Sequence, residues 1–524
     1  MSTHRRRDPL ARREPLVPRA WNRIWPKGGA MDRWVRTITG ERGLAMLALA
    51  ILVVAGALLR IWAFGGTSFA LGSDESRYIA VAQNLAQGTL PDGDAQWFGA
   101  RAVFLWPVAL IFRLVGATDY SAIAWPFIVS LVSIVAAYLV AREITGRRQA
   151  VVAAGIVAVA PIEVLMATRL RPDAVMPAFV ALAIWAAFRT RTSTRTRAWL
   201  VTSGVCIGAG WSSRETAVLM VPMVIIAAWP ALRATWRHVA ALVAGLVAVP
   251  IVEMIVFAFA GRPLFPITAT IGASSFRSPA AGIEDGSTFT GLLVGEVVHP
   301  GSLVLLMLPL VGIAIVVGAL RRMQALIFPG LWLALGFAVL EAGAIISVDA
   351  PARFLTLLTI PAALLIAIAL DGRLSPVLIP AIAVVTVLAM QPRMEQAATD
   401  SDVRLVSQVA DIMRPLPRAP ILAADYTWWA KLNAFLPNGT VPVDRVIDPA
   451  YLTDAGRAAA RELQPLPEIA AFRGGYVVTG PVTPTGGWPT NWKAFARRVE
   501  KEVPWARLEP IAHIGGATVW RWNR

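Results

Sequence analysis

Residues 71–88 read Leu-Gly-Ser-Asp-Glu-Ser-Arg-Tyr-Ile-Ala-Val-Ala-Gln-Asn-Leu-Ala-Gln-Gly, and they follow an apolar run at 44–64. Ser73 or Asp74 suits a helix N-cap and Gly88 a helix stop, so a short helix is expected just past a segment long enough to cross a bilayer. On a helical period, positions 74, 78, 81, 82 and 85 share one face. Asp74 therefore heads an apolar stripe of Tyr78, Val81, Ala82 and Leu85, which turns it toward protein or membrane rather than water. Asp74 and Glu75 are also acids of the kind that a helix dipole favours in a first turn with no chemistry attached.

The surroundings of this stretch are those of a membrane protein. The chain has 524 residues, 56% of them hydrophobic and 16% charged, with mean hydropathy +0.59. A soluble protein carries about 25% charged residues, so the balance requires a bilayer-embedded body and excludes a disordered or fibrous chain. The net charge is +16, but the basic residues sit in short clusters between apolar runs, the distribution of topology determinants rather than of a nucleic-acid footprint. No nucleic-acid partner is expected. The single cysteine, Cys206, excludes an intrachain disulfide and a Cys-based zinc cluster. His4, His238, His299 and His513 are scattered, and Glu284-Asp285 before Gly286 reads as a solvated turn. No metal or other cofactor is indicated; a divalent cation is compatible with the sequence, but nothing in it calls for one.

A spanning helix needs about 20 mostly apolar residues. The runs that qualify are 44–64, 122–140, 149–168, 173–188, 198–213, 216–232, 238–260, 301–320, 324–346, 354–370 and 375–391, giving eleven expected spans. Run 102–116 is short, is bounded by Arg101 and Arg113, and has Trp106-Pro107 in its middle, which suits a helix lying at the interface. With that choice, Arg142, Arg147 and Arg148, then Arg189 to Arg197, Arg233 and Arg237, Arg321 and Arg322, and Arg373 all fall on the cytoplasmic side. The expected organisation is a basic cytoplasmic tail (1–43), a multi-pass transmembrane domain (44–391) with a long external loop (65–121), and an external α/β domain (392–524) in the cell (inner) membrane. In the last of these the pattern predicts helices near 402–413, 453–463 and 492–503, strands at 421–424 and 476–478, and a closing hairpin at 511–520. Glu163, Glu253 and Glu341 are acids in or near spans, where ionisable groups are costly and often functional.

An external Asp-Glu-x-x-Tyr helix directly after the first span resembles the first-loop motif of the GT-C glycosyltransferases. The resemblance is closest to the branch of protein O-mannosyltransferases and lipid A aminoarabinose transferases (family 39/83-like). Other stretches agree in order: Leu114-Val115-Gly116-Ala117-Thr118, Arg169-Leu170-Arg171-Pro172-Asp173, Gly208-Ala209-Gly210-Trp211-Ser212-Ser213-Arg214, and Asp349-Ala350-Pro351-Ala352-Arg353-Phe354-Leu355 with Pro361. Together they cover about 70–370. The chain departs from the family in two places: Trp97-Phe98-Gly99-Ala100-Arg101-Ala102 stands where a Glu-Lys-Pro-Pro-like segment is usual, and Phe354 replaces a tyrosine. The resemblance implies a polyprenyl-phosphate sugar donor, a hydroxyl acceptor on a protein, lipid or cell-wall glycan, and Asp74 as the catalytic carboxylate.

The residues themselves point the same way. Arg101, Arg169, Arg171, Arg214 and Arg353 are expected at outer helix ends, where topology does not favour them, and phosphate oxygens are one partner that guanidinium forks hold well. Each alone also fits a side chain reaching to lipid headgroups. The expected chemistry is inverting transfer, with Asp74 as general base, Glu75 beside it as a second acid supporting the loop or an arginine, and Tyr78 and Asp173 supporting the acceptor or an arginine. The rival reading is a transporter or flippase of an anionic lipid-linked substrate. It calls for charges at mid-membrane and paired halves, whereas these charges lie toward one mouth and no internal repeat is seen.

Overall fold

The computed structural model describes residues 41–64, 73–91, 99–268, 307–342, 355–370, 375–398, 401–417, 419, 421–423, 431–432, 434–436, 446–447, 474–479 and 507–523. The chain divides into a unit Met1–Ile51, whose described part is the start of the first helix, and a unit Leu52–Arg524 that holds the other described elements.

The protein is mostly helical. In chain order the helices are α1 (Glu41–Phe64), α2 (Ser73–Ala86), α3 (Ala102–Val115), α4 (Asp119–Ile144), α5 (Arg147–Val159), α6 (Pro161–Ala167), α7 (Met176–Arg189), α8 (Thr196–Ser213), α9 (Val221–Leu232), α10 (Trp236–Phe259), α11 (Met307–Leu320), α12 (Ile327–Ala342), α13 (Thr356–Ala369), α14 (Ser375–Ala398) and α15 (Ser401–Met413). Each apolar run of the sequence carries one of these helices or a helix pair. Among the described residues, five helical segments are long and apolar enough to cross a membrane: Glu41–Phe64, Asp119–Ile144, Pro172–Arg189, Glu215–Leu232 and Trp236–Phe259. The bent pair α5–α6 makes a sixth. Large apolar side chains such as Leu58, Ile255, Val316 and Leu388 stand exposed on α1, α10, α11 and α14, the arrangement of a surface that faces lipid.

Local sequence explains the main features. α4 begins with a reciprocal cap between Thr118 and Ser121. α5 and α6 bend by 56° at Pro161, whose ring cannot continue the helix. The carbonyls released at the bend are taken by side chains from other helices: Arg60 of α1 donates to the Ala158 oxygen at 2.8 Å, and Thr386 of α14 donates to that of Val159. Arg60 is fully buried and also donates to Ser130 and to the Gly56 carbonyl. α8 and α10 approach backbone to backbone, since a Cβ at Gly204 would lie 2.2 Å from the Leu242 oxygen and one at Gly245 would lie 2.3 Å from the Val201 oxygen. Small residues permit this packing, which lipid alone does not drive.

After α15 comes a five-stranded mixed sheet of order β2-β1-β3-β5-β4, with β1 (Ile421–Ala423), β2 (Val446–Ile447), β3 (Gly474–Thr479), β4 (Arg507–Ile514) and β5 (Ala517–Asn523). β1 runs parallel to β2 and β3, and β5 runs antiparallel to β3 and β4. Gly515 and Gly516, both at positive φ, make the two-residue turn of the β4–β5 hairpin. The expected helices at 453–463 and 492–503 lie outside the described residues, as does the tail 1–40. β2 was not expected, because two residues leave no alternation to read.

Candidate active site

The helix expected at 73–88 is α2, and it is buried on more than the one face its periodicity marked. Tyr78, Val81 and Ala82 pack with Phe104, Leu105 and Val108 of α3, with Leu170, and with Ala178 of α7. Glu75, off that stripe, is also fully buried. A buried carboxylate needs partners, and two arginines supply them. Arg169 donates Nε to Glu75 Oε1 at 3.0 Å, while Arg171 donates Nε to the same oxygen at 2.7 Å and Nη2 to Oε2 at 2.9 Å. The turn between α6 and α7 is thereby fastened to the start of α2.

A second knot lies on the same helix. Tyr78 stands edge-on to Phe104, and its hydroxyl accepts from Arg101 Nη1. Arg101 Nη2 is shared between the two carboxylate oxygens of Glu215, at 3.2 and 3.1 Å. Burial alone would lower the pKa of Arg101, but the charge of Glu215, together with Tyr78 and Asp173, outweighs it and raises the value. The next residue, Ala102, begins α3 without a side-chain cap of its own, and its N–H is taken by Glu253 of α10 at 3.2 Å. Arg214 ends α8 in extended backbone and donates to the buried Asp173, which sits in the 3-10 turn Pro172–Ala174 leading into α7.

Four of the five arginines singled out by sequence therefore belong to one polar layer joining α2, the start of α3, the turn before α7 and the end of α8. Each bonds an acid: Glu75, Glu215 or Asp173. Their charges thus have protein partners, in place of the phosphate that the sequence argument used to balance them. The fifth, Arg353, lies outside the described residues, as do the side chain of Asp74, whose backbone is in the first turn of α2, and His299, Glu284 and Asp285. Sequence reasoning missed Glu215 and buried Arg77. The signal for Glu215 was its place beside Arg214 at a break between apolar runs, and that for Arg77 its place in the α2 stretch itself. Among the described residues no group of three His, Cys, Asp or Glu side chains is set to hold a metal ion.

Residues 102–256 match the family described as dolichyl-phosphate-mannose-protein mannosyltransferase. No curated protein matches by sequence. The fold is similar to that of ArnT from Cupriavidus metallidurans, both in the apo state (TM-score 0.56, 13% identity, 94% of this chain and 98% of that one) and bound to undecaprenyl phosphate (TM-score 0.61, 13% identity, 92% and 98%). It is similar also to the oligosaccharyltransferase of Archaeoglobus fulgidus (TM-score 0.51, 13% identity, 90% and 72%). The likeness to these structures is one of fold, and the mannosyltransferase family match covers the stretch from α3 into α10.

Proposed function

We propose that the protein transfers a sugar from a polyprenyl-phosphate donor to an acceptor hydroxyl at the external face of the cell (inner) membrane, with inversion at the anomeric carbon. Asp74 takes the acceptor's proton as general base. The acceptor oxygen bonds to the anomeric carbon as the bond from that carbon to the phosphate oxygen breaks, and polyprenyl phosphate leaves with the electron pair. A phosphate leaving group needs no general acid, so the arginines neutralise it in place of a second acid. The reading assigns 1–43 to the cytoplasm, 44–391 to eleven spans and the external loop, and 392–524 to the external side.

The observation that carries this reading is the buried acid–arginine layer at α2. Glu75 holds two arginines against the helix turn that also bears Asp74, which sets two positive charges against one negative charge beside the proposed base. Arginine keeps its charge when buried and holds phosphate oxygens in pairs, so exchange of an acid's oxygen for a donor oxygen is chemically simple. The ArnT neighbour with undecaprenyl phosphate supports a lipid-phosphate ligand for this fold. The test is to incubate the purified protein with a polyprenyl-phosphate sugar and an acceptor extract, then measure free polyprenyl phosphate. Release that depends on Asp74 supports the proposal; a donor that binds and is moved across vesicles without cleavage would make the protein a transporter instead.

A further inference from the structure

We infer that the C-terminal sheet region is a working part of the site: through Leu432 and residues 434–436 it holds the proposed catalytic helix α2 in register. The inference rests on the reading of α2 given above and supplies a role for the residues beyond the last span. In this short stretch Leu432 and Leu436 are buried in the core formed by α15, β1, β3 and β5, together with Val406, Val409, Ile421, Tyr476 and Val519. Ala434 turns the other way and is buried in the core of α2 and α3, with Tyr78, Ile79 and Phe104. Phe435 packs against both cores. The segment is therefore anchored in the sheet at two positions and presses on α2 at those between.

The contact includes a polar bond as well as apolar packing. Gln83 lies on α2 two turns beyond Glu75 and is buried, and it donates Nε2 to the backbone carbonyl of Ala434 at 3.1 Å. A buried amide that loses its partner costs about 1–3 kcal/mol, which makes the seated position of α2 favoured over a displaced one. α2 is fastened at its first turn by Arg169 and Arg171 to Glu75, and toward its end by Ala434 to Gln83. Two fixed points set both the axial position and the rotation of the helix, and these in turn aim the side chain at 74. Base catalysis is sensitive to placement on the scale of an ångström.

The experiment uses the full chain in a Cys206→Ala background. Gln83→Cys with Ala434→Cys should be joined by a short bis-methanethiosulfonate, each thiol displacing a sulfinate, and joining should restore turnover that the unjoined pair loses with the Gln83 donor, because the contact is part of the working state. Gln83→Met, which keeps size and removes the donor, and Ala434→Leu, which pushes the segment off α2, should each lower kcat about ten-fold or more while the donor KM stays within two-fold. Failure of the cysteine pair to join, or unchanged kcat in both Gln83→Met and Ala434→Leu, overturns the inference. The joining measurement does not use turnover, so it separates this outcome from failure of the glycosyltransfer reading itself.

Discussion

At the scale of single residues, Glu75 is an acid with little freedom to take a proton. The Glu75 carboxylate already receives three N–H bonds from two arginines in a fully buried position, and taking a proton there would break them. The proposal therefore gives proton transfer to Asp74. Asp74→Asn should lower turnover by about a hundred- to ten-thousand-fold while the melting temperature and donor affinity stay near the parent's. Glu75→Gln leaves the arginines without their counter-charge, and breaking a buried pair costs about 3–5 kcal/mol, moderated here because Arg169 is partly exposed. Its signature should be lost thermal stability in detergent and lower yield of folded protein. Initial rates per folded enzyme check both, and a well-folded Asp74→Asn with near-parent rate beside an inactive, folded Glu75→Gln would exchange the two roles. Arg101→Ala and Arg214→Ala should each raise the donor concentration required about ten-fold, since a charge-assisted bond is worth about 1.5–3 kcal/mol; unchanged donor titrations would remove these residues from the donor site. The folded pKa of Arg101 is raised above its ordinary value, so its contribution holds at all lower pH and is lost only as pH climbs through that raised value. The pH–rate profile should accordingly carry no limb from Arg101 in the range where enzymes are assayed. Much of this was legible, because a stripe of Tyr78, Val81 and Ala82 follows from spacing alone. The partners of Glu75 were not legible, because they lie 94 and 96 residues away and helical periodicity carries no information on such pairings.

At the scale of elements, the polar layer exists because certain helices stop, bend or touch in particular ways. α8 delivers Arg214 to Asp173 and α10 delivers Glu253 to the start of α3, and the two helices are locked by the contacts at Gly204, Gly208 and Gly245. A methyl group at Gly204 would meet backbone atoms of α10 at 2.2 and 2.6 Å, and backbone cannot rotate away as a side chain can. Gly204→Ala should therefore separate α8 from α10, lower the melting temperature, and weaken donor binding even though position 204 touches no proposed ligand. Gly312→Ala is the control, because a Cβ there meets nothing within 4 Å and should change neither measurement. Equal behaviour of the two variants would show that the close approach is not what aligns the site. The Gly-rich run before Arg214 was visible in the sequence. Its use was not: which helix presses on a glycine depends on tertiary pairing, and Gly245 stands alone on its own helix among larger apolar residues. The same holds for Arg60, which reads as an isolated charge near the end of α1 and proves to satisfy a carbonyl freed by a proline 101 positions later in a different helix pair, as its bond to Ala158 spans 98 positions.

At the scale of the whole molecule, charge divides into two layers that helix ends define. At one end of α7, Asp173 meets Arg214; at the other, Arg189 bonds Glu143 at the end of α4, and Arg142 lies beside the same acid. Arg191, just past the same end of α7 as Arg189, donates to the Ala227 and Ile226 carbonyls of α9. Arg142, Arg189 and Arg191 thus gather at one end of α7, while the bond of Arg214 to Asp173 lies at the other. On the proposed topology, the Arg142 and Arg189 ends lie on the cytoplasmic side. α4 has 26 residues and so is about 39 Å long, more than the roughly 30 Å of the hydrocarbon core. α3 has 14, about 21 Å, with Pro107 inside it, and falls short of that thickness. Crossing by α4 without crossing by α3 puts the Thr118 and Thr145 ends of α4 on opposite faces and returns the start of α3 to the face of α2. Thr118→Cys and Thr145→Cys, each in a Cys206→Ala background, test this in intact cells with a thiol reagent that does not enter. Thr118 caps α4, so its replacement costs about 1 kcal/mol, small enough to leave the fold in place. The cysteine at 118 should react from outside and the one at 145 only after the membrane is opened. Reaction of both from outside, or of neither, would mean that α4 does not cross; reaction of 145 alone would invert the topology and put the proposed base on the cytoplasmic side.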